Sequence, residues 1–102
     1  NEDLIYLGVR GQDISSSLSQ KTGIPTGIYV NSVEEDSPAM TAGIQNGDIL
    51  HALDGQEVQA MEEYASVLQG LNKGTRTTVN VYRKNPSGEY EDVQLKVTIK
   101  EK

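Results

Sequence analysis

The chain has 102 residues, the size of a single domain with a modest core. Fifteen acidic residues against nine basic ones give a formal net charge of -6, so nucleic acid is not expected as a partner. Cysteine, tryptophan and phenylalanine are absent, which excludes disulfides and thiolate zinc sites and predicts an aliphatic core with a few tyrosines. No apolar run reaches the roughly 18 to 20 residues of a membrane span, and residues 1–3 are not a signal peptide, so we expect a fragment of a longer protein.

The first quarter of the chain predicts a bent strand and a short helix. Gly8 interrupts the apolar run 4–9, which indicates a strand that bends or comes close to another group. Ile14 and Leu18 are one helical turn apart and predict an amphipathic helix from Ile14 to Lys21 that ends near Gly23. The serines at 15–17 are expected to cap this helix and face solvent.

Residues 26–33 alternate as a strand that turns Ile28 and Val30 inward, with Val33 as a third candidate for that face. Three acidic residues follow at 34–36. A calcium loop spaces its carboxylates and carries a glycine at a set position, and that pattern is missing here. We therefore expect a solvated loop.

Capping and turn residues fix the order of elements from Ser37 to Gly55. Ser37 is a good helix N-cap, Pro38 fits the first helical position, and Gly43 can end the helix in the left-handed conformation. The sequence predicts a helix at 38–42, a tight turn at 46–47, a strand at 48–53 and a turn at 54–55.

No catalytic constellation is visible in the chain. His51 is the only histidine, and a Ser-His-Asp unit also needs a nucleophile, an orienting acid and an oxyanion hole. No glycine-rich phosphate motif is present either. We expect His51 to face solvent or a groove rim, and we expect no catalytic residue, metal or cofactor.

The second half of the chain predicts a short return strand at 56–58, one long helix and a hairpin. The helix, 61–71, carries an apolar stripe that is wider than packing on one surface requires. Either all the apolar residues of the stripe belong to the core, or one edge of the stripe belongs to the core and the other edge lines a groove. The core edge would be Tyr64, Val67 and Leu71, and the groove edge Met61, Ala65 and Leu68. Alternating residues at 77–83 and 89–100 predict a hairpin around the turn at 85–88.

Two segments resemble a known family. The stretch SPAMTAGIQNGDILHALDG, from Ser37 to Gly55, follows nearly residue for residue the pattern of bacterial PDZ domains. The segment from Tyr6 to Val9 is similar to the Tyr-Leu-Gly-Val segment near the start of PDZ domains of HtrA type. The resemblance covers residues 4–100. It implies a single PDZ domain at 1–102, an α+β, mainly β fold: a partly open barrel or sandwich of five to six strands with two helices.

The resemblance also implies a peptide-binding site. In this family the segment is a carboxylate-binding loop, in which the N–H groups of Leu7, Gly8 and Val9 would hold the C-terminus of a peptide added beside residues 9–12. Its last apolar side chain would enter a pocket beside the long helix. The implied peptide-binding residues are Tyr6, Leu7, Gly8, Val9, Arg10, Gly11, Met61, Ala65, Leu68 and Gln69.

The chain departs from many PDZ domains at one point, because Glu2 and Asp3 stand where a basic residue often precedes the loop. Carboxylate binding would then rest on backbone donors and be weak.

The resemblance implies a parent that is a secreted or membrane-anchored trypsin-like serine endopeptidase, with this chain as its regulatory or substrate-binding domain outside the cytoplasm. Expected partners are C-terminal or unfolded peptide segments and the parent's own protease domain. Three alternatives stay open at this point: an enzyme in its own right, a module that assembles protease subunits with an unused groove, or a PDZ domain from a C-terminal processing protease or a membrane metalloprotease.

Overall fold

The computed structural model describes the backbone of residues 5–101 and the side chains of residues 7–100. Within that range the chain forms eight strands and three helices. In chain order these are β1 (Ile5–Tyr6), β2 (Val9–Ile14), α1 (Ser16–Thr22), β3 (Gly27–Val33), α2 (Pro38–Ala42), β4 (Ile49–Leu53), β5 (Gln56–Glu57), α3 (Met61–Gln69), β6 (Arg76–Lys84), β7 (Tyr90–Thr98) and β8 (Lys100–Glu101).

Six strands form one open antiparallel sheet in the order β2-β3-β4-β6-β7, with β5 paired to β4. Strands β1 and β8 pair separately and place Tyr6 opposite Lys100. The predicted fold class is confirmed, with three helices rather than two in the described part of the chain. None of these helices is long and apolar enough to span a membrane.

The core lies between one face of the sheet and helix α3. Strand β3 contributes Ile28 and Val30, both fully buried as the alternation predicted, and α3 contributes Tyr64 and Leu68. Burial raises the pKa of the Tyr64 phenol well above its ordinary value. The remaining buried members are aliphatic: Leu7, Ala39, Ile44, Leu50, Leu53, Val58, Val79, Val81, Val97 and Ile99.

Helix α2 has the predicted bounds because its capping residues act locally. The Ser37 hydroxyl accepts a hydrogen bond from Met40 N at 3.1 Å and donates one to the Glu34 carbonyl at 2.7 Å. Gly43 ends the helix with φ 98°, a left-handed conformation that its missing side chain permits.

An ion pair between a buried carboxylate and a partly exposed arginine joins the loop after α2 to strand β6. Arg83 donates to both carboxylate oxygens of Asp48, at 2.9 and 2.6 Å, and also to the Gly43 carbonyl at 2.9 Å. The hydrogen bond to Asp48 raises the pKa of Arg83, although desolvation acts against it. Asp48 is 3% exposed and also accepts from Gln45 N, so both of its oxygens are satisfied.

The predicted helix at 14–21 is wrong at its start. Ile14 is the last residue of β2, where it pairs with Gly27 and is 6% exposed, and α1 begins only after the cap Ser15. The helix buries none of its residues, and Leu18 is 42% exposed, so α1 is not amphipathic in its packing. Its predicted end at Gly23 is confirmed.

Helix α3 is two residues shorter than predicted. Its regular turns end at Gln69, after which Gly70 N and Leu71 N bond to carbonyls three residues back, at 3.1 Å each. Leu71 nevertheless packs half-buried against the core, because a tightened last turn keeps it on the same side.

Candidate functional site

Strand β2 lies at one edge of the six-stranded sheet, next to helix α3. It pairs with β3 along one side and has no strand along the other in the described part of the chain. Helix α3 is fixed near the end of this strand, because Met61 N donates to the Asp13 carboxylate at 2.7 Å. The unpaired side of β2 and helix α3 are therefore the two walls of the candidate groove.

The loop between β1 and β2 places two carbonyls against the body of the domain. The Leu7 carbonyl accepts from Ala39 N in α2 at 2.8 Å, and the Gly8 carbonyl accepts from Glu34 N at 2.9 Å. Gly8 has φ 97°, a conformation that other residues rarely adopt, and Leu7 is 1% exposed. The loop is held from one side by its carbonyls and from below by the buried Leu7 side chain.

The N–H groups of this loop point the other way. A trans peptide directs the C=O of one residue and the N–H of the next to opposite sides, and the chain has no cis peptide in its described range. The N–H groups of Gly8 and Val9 therefore turn away from α2 and Glu34. Outside the strand ladders, no backbone acceptor for Gly8 N occurs among residues 5–101. Successive N–H groups turned to one side, here those of Gly8 and Val9, can form a site for an anion.

Gly11 brings β2 close to β3. The strand pairing shifts between Arg10 and Gly11, and a Cβ at position 11 would lie 2.5 Å from the Tyr29 carbonyl oxygen and 2.9 Å from Ile28 Cγ2. No side chain fits there without moving the backbone of β3. Gly11 thus fixes the irregular course of the edge strand beside the groove.

The predicted residues of α3 lie at different depths. Leu68 is 6% exposed and belongs to the same core cluster as Leu7, whereas Met61 and Val9 are half-buried against that cluster. Ala65 and Gln69 are exposed. The buried leucines thus support the site from below, while Ala65 lies at its surface.

Arg10 is the cation nearest the loop in sequence. Its guanidinium Nε lies 3.8 Å from the Glu34 carboxylate, and its side chain is 70% exposed. The Tyr6 side chain, Glu2 and Asp3, all named from the sequence, lie outside the described residues.

Sequence reasoning missed Asp13. Its carboxylate caps the first turn of α3, which lacks a capping side chain of its own because Ala60 occupies that position. An alanine at the N-cap was the only available signal that a distant residue would supply the cap.

The single histidine lies on the sheet face that points away from the core. His51 stacks on Tyr82 with ring centroids 4.0 Å apart, and its Nε2 lies 3.0 Å from Asp92 Oδ1. The sequence predicted that His51 faces solvent or a groove rim. The side chain is instead only 14% exposed, because it stacks on Tyr82. Among the described residues, no group of three or more His, Asp or Glu side chains is placed to hold a metal.

Comparison with known proteins decides the family. A family model of the PDZ domain matches residues 6–99. The chain belongs to the PDZ family. This PDZ domain is 30% identical over 86 residues to a DegP-like periplasmic serine endoprotease of Brucella suis, covering 82% of the domain and 17% of the relative. It is 32% identical over 79 residues to the magnetosome formation protease MamE of Paramagnetospirillum magneticum, covering 76% of the domain and 11% of that protein.

Solved structures agree on the fold. The crystal structure of the HtrA3 PDZ domain bound to a phage-derived ligand, FGRWV, superposes with a TM-score of 0.79 at 24% identity, covering 99% of this chain and 89% of that one. The two relatives, one named as a probable serine endoprotease and the other as a protease, are several times longer than this PDZ domain, which corresponds to 17% and 11% of their lengths.

Proposed function

We propose that this PDZ domain binds the free C-terminus of apolar peptides by adding them as a strand to the edge of β2. One observation carries the proposal: the unpaired side of β2 begins at a loop whose N–H groups point away from the protein body. An extended peptide offers that edge a row of backbone partners, and its terminal carboxylate offers the N–H groups an anion.

Each predicted residue then has a physical role. Leu7, Gly8 and Val9 supply N–H donors for the carboxylate, Gly11 sets the course of the edge strand, and Arg10 adds a positive charge near the loop. The last ligand side chain would lie against Val9, Met61, Ala65 and Leu68, with Gln69 at the rim. Such an interaction typically has a micromolar dissociation constant, about -8 kcal/mol.

The parent protein, by the same proposal, is a trypsin-like serine endopeptidase outside the cytoplasm, and this domain selects or reports peptides for it. The similarity to a relative named as a periplasmic serine endoprotease supports this location and class. The peptide-bound HtrA3 PDZ domain supports peptide ligands. Beside these peptides, the protease domain of the parent is the second proposed partner.

The first test compares peptides with free and amidated C-termini. We expect fluorescence anisotropy to give micromolar binding of peptides that end in an apolar residue and at least about tenfold weaker binding of their amides, because a charged acceptor is lost. Equal binding of both forms would contradict carboxylate capture. Binding of neither, together with concentration-dependent self-association, would favour an assembly role.

The second test places a charge in the groove without disturbing the core. Leu7 and Leu68 are too buried for this purpose, whereas Ala65 is exposed on α3. Ala65→Glu should weaken peptide binding at least about tenfold, because an acid would face the apolar end of the ligand. The matched control is Ser66→Glu, also exposed and one residue along the helix, which should leave binding unchanged. A loss in both variants, or in neither, would exclude this groove.

A further inference from the structure

Helix α2 and strand β7 enclose a cavity of about 330 Å³ outside the proposed peptide groove. Pro38, Thr41 and Ala42 of α2 form one side, and residues 96–98 of β7 form the other. Arg76 and Lys100 complete the rim. Nothing in the proposed peptide binding uses this cavity.

The charge of the cavity is opposite to that of the protein. Three basic residues line it, Arg76, Lys96 and Lys100, and no acidic side chain among residues 7–100 is part of its lining. No ion pair holds any of the three among the described residues. In a chain of net charge -6, this local excess of positive charge is the exception to the acidic surface.

Strand geometry points these groups the same way. Lys96 and Thr98 flank the buried Val97 in β7, so their side chains share the opposite face of that strand. Lys100 begins β8, directly after the buried Ile99, and its side chain is also exposed. Arg76 lies directly across from Thr98 in the ladder between β6 and β7. The three cations and a threonine hydroxyl are thus presented together, with a second hydroxyl from Thr41 across the cavity.

The polar side chains of the cavity are donors of hydrogen bonds. Arginine and lysine are donors only, and a threonine hydroxyl can donate as well as accept. Ile99 N donates to Thr75 O on the β6 side, so the N–H of Thr98 points toward the free edge of β7 and α2. Such a set suits an oxyanion with many acceptor oxygens, and a planar guanidinium beside ammonium groups is typical of phosphate recognition.

We propose that this cavity binds a phosphate monoester or diester. Its volume exceeds what inorganic phosphate fills and leaves room for part of the esterified group. Pro38, Ala42 and Val97 give the esterified group an apolar surface. Lysines on an edge strand also prevent strand pairing between molecules, but that role needs neither the cavity nor Arg76.

Inorganic phosphate is the first probe. Titration at constant ionic strength should shift the backbone amide resonances of Ala42 and Thr98 in a saturable way, with a dissociation constant on the order of 1 mM, as for a small exposed ligand. Acetate at the same concentrations should compete poorly, because it has two acceptor oxygens. A linear response, or equal competition by acetate, would overturn the assignment.

Charge-reversal variants test whether phosphate binds in the cavity or responds only to the net charge of the protein. Lys96→Glu should weaken phosphate binding about tenfold, because a charge-assisted hydrogen bond is replaced by repulsion. Lys21→Glu makes the same charge change on the exposed helix α1, outside the cavity, and should change binding less than about twofold. Equal effects of the two variants would overturn the proposal. Both positions are exposed, so neither variant is expected to unfold the domain.

Two sources could supply the phosphate ester. Binding of glycerol phosphate, with no capture by phosphatidylglycerol vesicles, would assign a soluble ligand. Capture by those vesicles but not by phosphatidylcholine vesicles, competed by glycerol phosphate and lost in Lys96→Glu, would assign a lipid headgroup. Vesicle capture that survives Lys96→Glu would contradict the cavity as the site.

Discussion

His51 of β4 and Asp92 of β7 form one hydrogen bond across the intervening strand β6, on the outer face of the sheet. Desolvation raises the pKa of Asp92, but hydrogen bonds from His51 and Asn80, together with the charge of His51, outweigh it and lower the pKa below its ordinary value. A carboxyl group with a lowered pKa in the folded state stabilises the protein only while it is ionised.

The lowered pKa of Asp92 determines how this residue's contribution to stability depends on pH. The contribution of Asp92 is present above its unfolded pKa, about 3.9, and is lost as the pH falls through its lower folded pKa. Asp92→Asn should therefore cost less than about 1 kcal/mol at pH 6, since the side chain is half exposed, and the cost should shrink below about pH 4.

Urea unfolding of both proteins between pH 2 and 7 measures this difference. Glu35→Gln, which removes an exposed loop carboxylate, is the control. A cost of Asp92→Asn that stays constant over the acidic range would contradict the interpretation.

The Asp48–Arg83 pair predicts a larger effect on stability because its carboxylate is buried. Arg83→Met would leave the 3% exposed carboxylate of Asp48 with only the Gln45 N–H as a hydrogen-bond donor and should cost about 3 kcal/mol in urea unfolding. Arg10→Met removes an exposed pair 3.8 Å apart and should cost less than about 0.5 kcal/mol. Similar losses in the two variants would argue against the structural role of Asp48.

At the level of elements, the edge strand β2 depends on Gly11. Gly11→Ala would place a methyl group 2.5 Å from the Tyr29 carbonyl oxygen, so β2 must move away from β3. We expect a loss of about 1–3 kcal/mol in stability and weaker peptide binding, because the strand that receives the peptide is displaced.

The control for this change is Gly70→Ala. Gly70 has φ -83° and its Cβ would have ordinary contacts, so alanine should be close to neutral for both stability and binding. If Gly11→Ala keeps native stability and peptide affinity, the backbone of β3 can move to accept the methyl group, and Gly11 is not required for peptide binding.

Local signals in the sequence predicted some elements to the residue. Helix α2 and the turn at 54–55 depend on a cap, a proline and glycines that act within a few residues, and Asp54 and Gly55 both take positive φ as such a turn requires. The fold class was predicted from the resemblance of the stretch Ser37 to Gly55 and the segment Tyr6 to Val9 to PDZ domains.

The features that the sequence did not predict depend on contacts between residues far apart in the chain. The four-residue spacing of Ile14 and Leu18 fits a helix, yet Ile14 pairs with Gly27 in the sheet. The apolar stripe of α3 could not reveal that Leu68 is buried while Ala65 is exposed, since the position of the sheet sets that rotation. Asp13 caps a helix that begins 48 residues later, and the alanine at the N-cap of that helix does not indicate which distant residue supplies the cap. The ligand role of the site stays a prediction.

At the scale of the whole molecule, peptide binding and folding are linked. A peptide that binds only the folded domain stabilises it by about 2.7 kcal/mol when its free concentration is 100 times the dissociation constant. For a domain of this length that gain corresponds to a rise in melting temperature of roughly 10 °C.

Calorimetry with the free-acid peptide and its amide measures this gain. We expect the full rise with the free acid and at most about half of it with the amide or in Ala65→Glu, because tenfold weaker binding leaves the free peptide at only about 10 times the dissociation constant. An equal rise with both peptides would indicate binding elsewhere on the domain.

The two-stranded ladder of β1 and β8 has a mechanical consequence. It is antiparallel and pairs Ile5 with Glu101, so a force applied through the two flanking ends opens its hydrogen bonds one after another, as in a zipper. Leu7 follows this ladder directly and leads into the loop that we propose holds the carboxylate. Tension would therefore reach that loop before it loads the six-stranded sheet, and the proposed peptide binding would be sensitive to pulling while the core stays folded.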